Sequence, residues 1–371
     1  MRILIGVSTY QDIENPKMGS ERQALGTAKA LGELGHEVYV TNILMDAPRW
    51  EKGYDVIHLF NASGKKGPYL HVMEMAHVLG KPVFLTPVYW PLAELLYEVS
   101  KYRNYSAKDH DEVFKAFRED IHGVRACVQR ADWLLPNAEL EMATLLGLSD
   151  LSMELDRPPL SQTYTVVPNA VDVQNEILPT LSEDRPLPHE LKARLSDRFI
   201  LCVARAELRK NQHRLVEAME TIWKDDPSLQ LVLLGALNHD YVRSIEPKIK
   251  GKNIIIVQQS AAHDVLNLMK RATCSVLPSL LETPGLVNLE AAALGVPVVA
   301  SSRGSVKEYL GDGGHYCDPL DPESIADAIK EAIAAGPNLE LQRHVQESFS
   351  YERVAELTDA AYRRLLDGDD E

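Results

Sequence analysis

A chain of 371 residues exceeds what one hydrophobic core usually organises, so two domains are expected. Its hydrophobic share of 45% and charged share of 25% are those of a globular protein, and no apolar run approaches the ~20 residues of a membrane span. A net charge of −15, spread over both halves, argues against nucleic acid as a partner and against strong general attraction to anionic membranes.

The opening MRILIGVSTY lacks the basic, apolar and cleavage regions of a signal peptide and reads as a buried first strand. In chain order, strand Arg2–Val7 precedes helix Glu21–Leu34, whose apolar positions recur every three or four residues. Further strands are read at His36–Thr41, Asp55–Phe60, Pro82–Thr86 and Asp132–Pro136, separated by helices Tyr69–Leu79, Asp109–Arg130 and Ala138–Leu146. A last short strand, Tyr164–Val167, ends at Pro168-Asn169. From Val173 to Arg198 the pattern breaks into Pro, Glu, Asp and Ser, which reads as an interdomain linker with one short helix.

The alternation then restarts, with strands Phe199–Ala204, Leu229–Leu234, Ile254–Val257, Thr273–Leu277 and Pro297–Ala300. Helices Gln212–Trp223, Asp240–Ile249, Ala262–Arg271, Leu286–Leu294 and Pro322–Ala335 fall after them. Strands alternating with helices imply an α/β chain of two doubly wound, Rossmann-like domains facing a cleft, one over residues 1–175 and one over 196–350. Ligands of such sheets bind beyond the carboxyl ends of the strands, so the loops after each strand are the places to search. Cys127, Cys202, Cys274 and Cys317 show no metal-ligand spacing and read as buried thiols in a reducing cytoplasm. Lys101, Arg103 and Lys108 are the local candidates for peripheral membrane contact, with a solvated helix face as the plainer reading.

Two strings carry chemistry. In PSLLETPGLVNLEAAALGVPVVAS, Glu282 lies in a loop after a strand, and Gly285 opens a helix that carries Glu290, eight residues on from Glu282. Gly285 lets a ligand approach the backbone, the free N–H groups of Leu286 and Val287 suit a diphosphate, and Glu290 can accept from ribose hydroxyls. In VARAELRKNQHRLVEA, Arg205 follows a strand directly, and Lys210 and Asn211 precede the next helix. A guanidinium and an ammonium there can neutralise a diphosphate and the charge that builds on it as a glycosidic bond breaks. Arg209 reads as a solvent-exposed spare cation.

These strings, in this order and separation, resemble the donor site of family 4 glycosyltransferases, which have the two-domain GT-B fold. The likeness extends to GSERQALGTAKALGELGHEVYV, YDVIHLF, ADWLLPNAEL, VVPNAVD and SSRGSVKEYLGDGGHYCDPLDPESIADAI. YERVAELTDAAYRRLL looks like the family's final helix, which crosses back to the N-domain; here it falls in 351–371. The resemblance implies a retaining, metal-independent transfer of a sugar from a UDP- or GDP-type donor to a glycan, a lipid-linked group or a small molecule, with no further cofactor. Arg205 and Lys210 would hold the diphosphate, Glu290 the ribose, and Glu282 with the amides of Gly285 and Leu286 the transferred sugar. Gly19 and Ser20 would bring backbone to the phosphate or sugar, and loops near Gly235 and Gln258–His263 would meet the base.

The sequence departs from the family pattern at three places. Thr283-Pro284 replaces Gly-Phe, Ser20 replaces a second glycine, and TPVYWP puts Val88 where a sugar-contacting His is usual. His58 reads as a structural partner, and Tyr89 with Trp90 as core packing or a stacking platform. The segment Leu92–Arg130, with Tyr97, Tyr102 and Tyr105, is the candidate acceptor surface. A nucleotide-sugar epimerase or hydrolase and a non-catalytic binding subunit are the alternative readings; sugar, linkage, acceptor and oligomeric state stay open.

Overall fold

The computed structural model describes residues 1–8, 19–62, 67–89, 98–102, 106–149, 163–183, 185–258 and 262–368. The chain folds as two α/β units, Met1–Ala170 with Tyr351–Glu371, and Val171–Ser350. Each is built on a fully parallel, Rossmann-like sheet.

In the first unit β1 (Arg2–Val7), β2 (Glu37–Asn42), β3 (Val56–Phe60), β4 (Val83–Thr86) and β5 (Trp133–Leu134) run in the order β2-β1-β3-β4-β5. The two-residue period of a strand sends alternate side chains into two cores. Leu4, Ile57, Leu59, Val83 and Leu85 pack in one core with residues of helices Gly67–Val78 and Ala107–Arg130. Ile3, Ile5, Val56, Phe60 and Phe84 pack in the other, with helix Gly19–Glu33 and the last helix, Tyr351–Asp367. A Cβ at Gly26 would stand 2.1 Å from the Tyr351 ring, so only glycine lets these two helices meet there.

His58 ties this unit together from the middle of β3. Its Nδ1 pairs with the Tyr362 hydroxyl at 2.6 Å and its Nε2 with Thr86 Oγ1 at 2.9 Å. Burial pulls the imidazole down to about 3, so it is neutral, and it links two strands to the final helix as a structural partner. The run Tyr164–Val167, read as a strand, forms an isolated bridge from Tyr164 to Leu134 and one further bond, Val167 N–H to the Pro136 carbonyl at 2.9 Å. Its partner β5 is two residues long, and Pro136 just beyond it has no N–H with which to return a bond and continue the ladder.

The second unit contains β6 (Phe199–Val203), β7 (Gln230–Gly235), β8 (Ile254–Gln258), β9 (Cys274–Leu277), β10 (Val298–Ser301) and β11 (His315–Cys317). Their spatial order is β11-β10-β9-β6-β7-β8. The chain therefore winds outward from β6 to one edge, then returns to β9 beside β6 and winds to the other. That reversal makes the β6/β9 junction the switch point, where the loops after two neighbouring strands diverge and leave a crevice. Cys202, Cys274 and Cys317 are buried within its core as free thiols.

The stretch read as a linker, Val173–Arg198, is part of this unit. Val173 and Ile177 are buried anchors, short helices form at Leu178–Ser182 and His189–Lys192, and the Lys270 ammonium donates to the Thr180 carbonyl at 2.6 Å. No helix among the described residues is long and apolar enough to cross a membrane.

Candidate functional site

Two loops flank the switch point. After β6 the chain runs through Arg205, a 3-10 turn at Leu208–Lys210 and into helix Gln212–Asp225. After β9 it runs through Glu282 and Gly285 into helix Leu286–Ala293. Asn211, wholly buried and left-handed at φ 62°, joins them: its Nδ2 donates to the carbonyls of Pro278 at 2.9 Å and Pro319 at 2.6 Å. One amide thus fastens the loops after β6, β9 and β11. Asparagine tolerates the left-handed region better than a branched residue, which is why it suits this corner.

The structure brings Lys210 and Glu282 into direct contact. Lys210 Nζ donates to Glu282 Oε2, and both side chains are largely buried. Burial alone would raise the Glu282 carboxyl, but the charges of Lys210 and Arg209 outweigh it and hold the group ionised, below its ordinary value. Arg209 is not the exposed spare cation expected. Its Nη1 lies 3.3 Å from Glu282 Oε2 and 3.3 Å from the Leu281 carbonyl, while Nη2 pairs with Glu207 at 3.0 Å. A buried carboxylate has lone pairs beyond those one ammonium satisfies, and the basic residue next to Lys210 is placed to meet them.

Arg205 is exposed, and its guanidinium has no ion-pair partner among the described residues. Its backbone is fixed on both sides: the Arg205 carbonyl accepts from Gln212 Nε2 at 2.9 Å, and the chain passes against Gly235. A Cβ on Gly235, at φ 153°, would fall 2.1 Å from the Ala204 carbonyl oxygen. Gly235 therefore shapes the backbone from which Arg205 projects.

Gly285 has φ 79° and stands immediately before helix Leu286–Ala293. A Cβ there would meet Glu282 Cγ at 2.7 Å. No side chain caps that end; the Asn288 N–H donates to the Gly285 carbonyl at 2.9 Å, and the N–H groups of Leu286 and Val287 can serve an anion. Leu286 and Val287 are half-buried, and Glu290 on the next turn is buried. Asn288 Nδ2 donates to the Pro284 carbonyl at 2.8 Å, locking the loop that carries Thr283-Pro284.

Gly304, inconspicuous in the sequence, lies against the backbone of Glu282. At φ 89° it packs against the Glu282 carbonyl, where a Cβ would come within 2.0 Å of the oxygen. Ser305 N–H donates to the same carbonyl at 3.3 Å. The signal available in sequence is SSRGS directly after a strand, a glycine where ligand-edge loops make close approaches.

Arg205, Lys210, Gly235, Glu282, Gly285, Leu286, Val287 and Glu290 all belong to the second unit. Gly19 and Ser20 belong to the first, where they form the start of helix Gly19–Glu33; Ser20 has no positive φ. Val88 has φ 51°, an uncommon conformation for a β-branched residue. Next to it, Tyr89 is buried and its N–H donates to Glu141, which also accepts from Asn137 N–H at 2.6 Å. Burial raises the Glu141 carboxyl to about 7. Tyr102 is exposed, as are Lys101 and Lys108, which face Glu98 and Glu112 one turn away. Trp90, Tyr97, Arg103, Tyr105 and residues 259–261 of the expected base loop lie outside the described residues.

Residues 184–348, all within the second unit, match the family model described as Glycosyl transferases group 1. Glycogen synthase of Mycobacterium tuberculosis (strain ATCC 25618 / H37Rv) is 26% identical over 225 residues, 59% of this chain and 50% of its own. The chain thus spans about half the length of that relative. D-inositol 3-phosphate glycosyltransferase of Paenarthrobacter aurescens (strain TC1) is 26% identical over 329 residues, 85% of this chain and 74% of its own. Among solved structures, sucrose-phosphate synthase from Thermosynechococcus elongatus superposes with a TM-score of 0.73 at 20% identity, covering 100% of both chains. Anabaena Alr3699/HepE in complex with UDP gives 0.67 at 16% identity over 97% of this chain and 99% of its own. These structural likenesses establish the GT-B fold.

Proposed function

We propose that this chain transfers a sugar from a nucleoside-diphosphate donor, of the UDP or GDP type, to a hydroxyl acceptor, and that the second unit binds the donor. The observation that carries this reading is the Lys210–Glu282 pair at the β6/β9 switch point, flanked by exposed Arg205 and the uncapped helix start at Gly285. Arg205, Lys210 and the first-turn amides of Leu286 and Val287 can together surround a diphosphate with fixed positive charge. The same groups take up the negative charge that the departing diphosphate gains as the anomeric C–O bond breaks, so the reading needs no metal and no further cofactor.

Glu282 then accepts from hydroxyls of the transferred sugar, and Glu290 from the ribose. Gly235 lies at the end of β7, on the side where the base would rest. The acceptor oxygen forms the new bond at the anomeric carbon, and its proton passes to the leaving diphosphate. We assign retention of configuration by resemblance, and the acceptor to the first unit. Similarity to a glycogen synthase and to a D-inositol 3-phosphate glycosyltransferase favours this class over an epimerase or a binding subunit.

The test is acceptor-dependent release of nucleoside diphosphate from UDP-glucose, GDP-mannose and ADP-glucose, in EDTA, across glycan, lipid-linked and small-molecule acceptors. Release that rises with one acceptor supports transfer. Equal release with and without every acceptor points to a hydrolase and contradicts it.

A further inference from the structure

The reading above leaves an electrostatic problem, and its solution is visible in the structure. Glu282 is a buried carboxylate whose nearest counter-ion is the Lys210 ammonium. If the donor's diphosphate takes Lys210 as its own partner, Glu282 loses that counter-ion while still buried. Removing one member of a buried pair leaves the other charge uncompensated, which would favour a protonated, misdirected carboxyl at the moment it must accept from the sugar.

Arg209 answers this. Its Nη1 faces both Glu282 oxygens, at 3.3 and 3.5 Å, and also donates to the Leu281 carbonyl. Its other edge is held by Glu207, with Nη2 at 3.0 Å and Nε at 3.2 Å from the same oxygen. Its own carbonyl accepts from Leu280 N–H at 2.8 Å, so backbone and side chain both bind the Glu282 loop. A guanidinium fixed between two carboxylates cannot swing towards a phosphate as a flexible ammonium can. The four charges Glu207, Arg209, Glu282 and Lys210 balance before the ligand arrives; afterwards Arg209 alone remains on Glu282.

We infer that Arg209 is a positioning residue for donor-sugar recognition: it keeps Glu282 ionised and aimed at the sugar once Lys210 is engaged by the diphosphate. The inference rests on the donor-site reading above. It predicts a split between the sugar-bearing donor and the bare nucleotide that a merely structural clamp would not give.

The experiment measures binding of UDP and UDP-glucose, GDP and GDP-mannose, and ADP and ADP-glucose to wild type, Arg209→Gln and Arg209→Lys. Thermal melting of each variant checks that it is folded. For the pair that wild type binds, Arg209→Gln is expected to lose about tenfold or more in affinity for the nucleotide sugar, the scale of a hydrogen bond between charged groups. Its affinity for the bare nucleoside diphosphate should stay within about twofold, and Arg209→Lys should recover part of the loss, because the charge returns without the fork. Equal losses on nucleotide and nucleotide sugar, or no loss on either, overturn the role of Arg209 and leave the donor site standing. A folded wild-type protein that binds no member of any pair contradicts the donor site itself, and this inference with it.

Discussion

The two units share parallel topology but finish their strands with different chemistry. At the switch point of the second, Glu207, Arg209, Lys210 and Glu282 form one chain of ion pairs, with Arg205 exposed beside it. In the first, β3 and β4 are joined to the final helix by His58, Thr86 and Tyr362, and burial keeps the imidazole neutral. Glu141, one of its buried carboxyls, accepts from the backbone N–H groups of Tyr89 and Asn137. Among the described residues, this cluster of ion pairs lies in the second unit, while His58, Thr86, Tyr362 and Glu141 hold the fold of the first. A doubly wound sheet dictates where a ligand can bind, and the side chains at the switch point decide whether it will.

The comparison breaks most decisively at Glu282 and Arg205. Either Glu282→Ala or Arg205→Ala should cut turnover by about a hundredfold or more while the protein stays folded, the scale of losing one charged group at the reacting centre. Steady-state rates beside thermal melts check both halves of that statement, and wild-type rates in either variant would remove the residue from the site. Gly304→Ala comes next. The left-handed φ and the clash with the Glu282 carbonyl should destabilise the protein by about 1–3 kcal/mol and lower turnover, measurable by denaturant melts and rates.

A pH series sharpens the scaffold side. His58 is neutral in the fold down to about 3, whereas the unfolded imidazole charges near 6.5. Between those values the unfolded chain binds the extra proton, so the His58 contribution is intact above 6.5 and is lost as pH falls towards 3. Glu141, raised to about 7, has the opposite sign: its contribution is present at low pH and is lost as pH rises from 4.5 to about 7. The difference between wild type and His58→Gln isolates the imidazole. The variant should be less stable at pH 7.5, and the gap should narrow on acidification by on the order of a few kcal/mol. His213, also lowered to about 3 by burial and paired with Tyr241, repeats the device in the second unit.

The smallest effect is expected at Val88. Replacing a β-branched residue at φ 51° by Asn should stabilise the first unit by about 1 kcal/mol, because the left-handed penalty falls. A lowered melting temperature would mean that packing of the Val88 side chain outweighs its strain.

Most of the architecture is legible from sequence because buried parallel strands are short apolar runs and the intervening helices keep a three-to-four-residue period. The exceptions have physical causes. Val173–Arg198 looks like a linker because Val173 and Ile177 are its only two fully buried apolar anchors among the described residues before Phe199. His315–Cys317 is a three-residue strand, too short to show a period. At the site, Arg205, Lys210 and Glu282 are legible as residue types in the loops after β6 and β9, and Glu290 in the helix that follows. Arg209 is not, because a loop cation reads the same whether it meets water or a buried carboxylate. Gly304 is hidden for a similar reason: its partner is a backbone carbonyl 22 positions earlier, which no local pattern announces.

The central claim is that the charges at the β6/β9 junction form a donor diphosphate site. Thermal melting of wild type and Lys210→Ala in EDTA, with UDP, GDP and ADP, tests it most directly. At a hundredfold excess over Kd, a bound nucleotide should stabilise the wild type by about 2.7 kcal/mol. The account predicts a clear upward shift with one nucleotide in wild type and its loss in a folded Lys210→Ala; an equal shift in both, or none with any nucleotide in wild type, would contradict it.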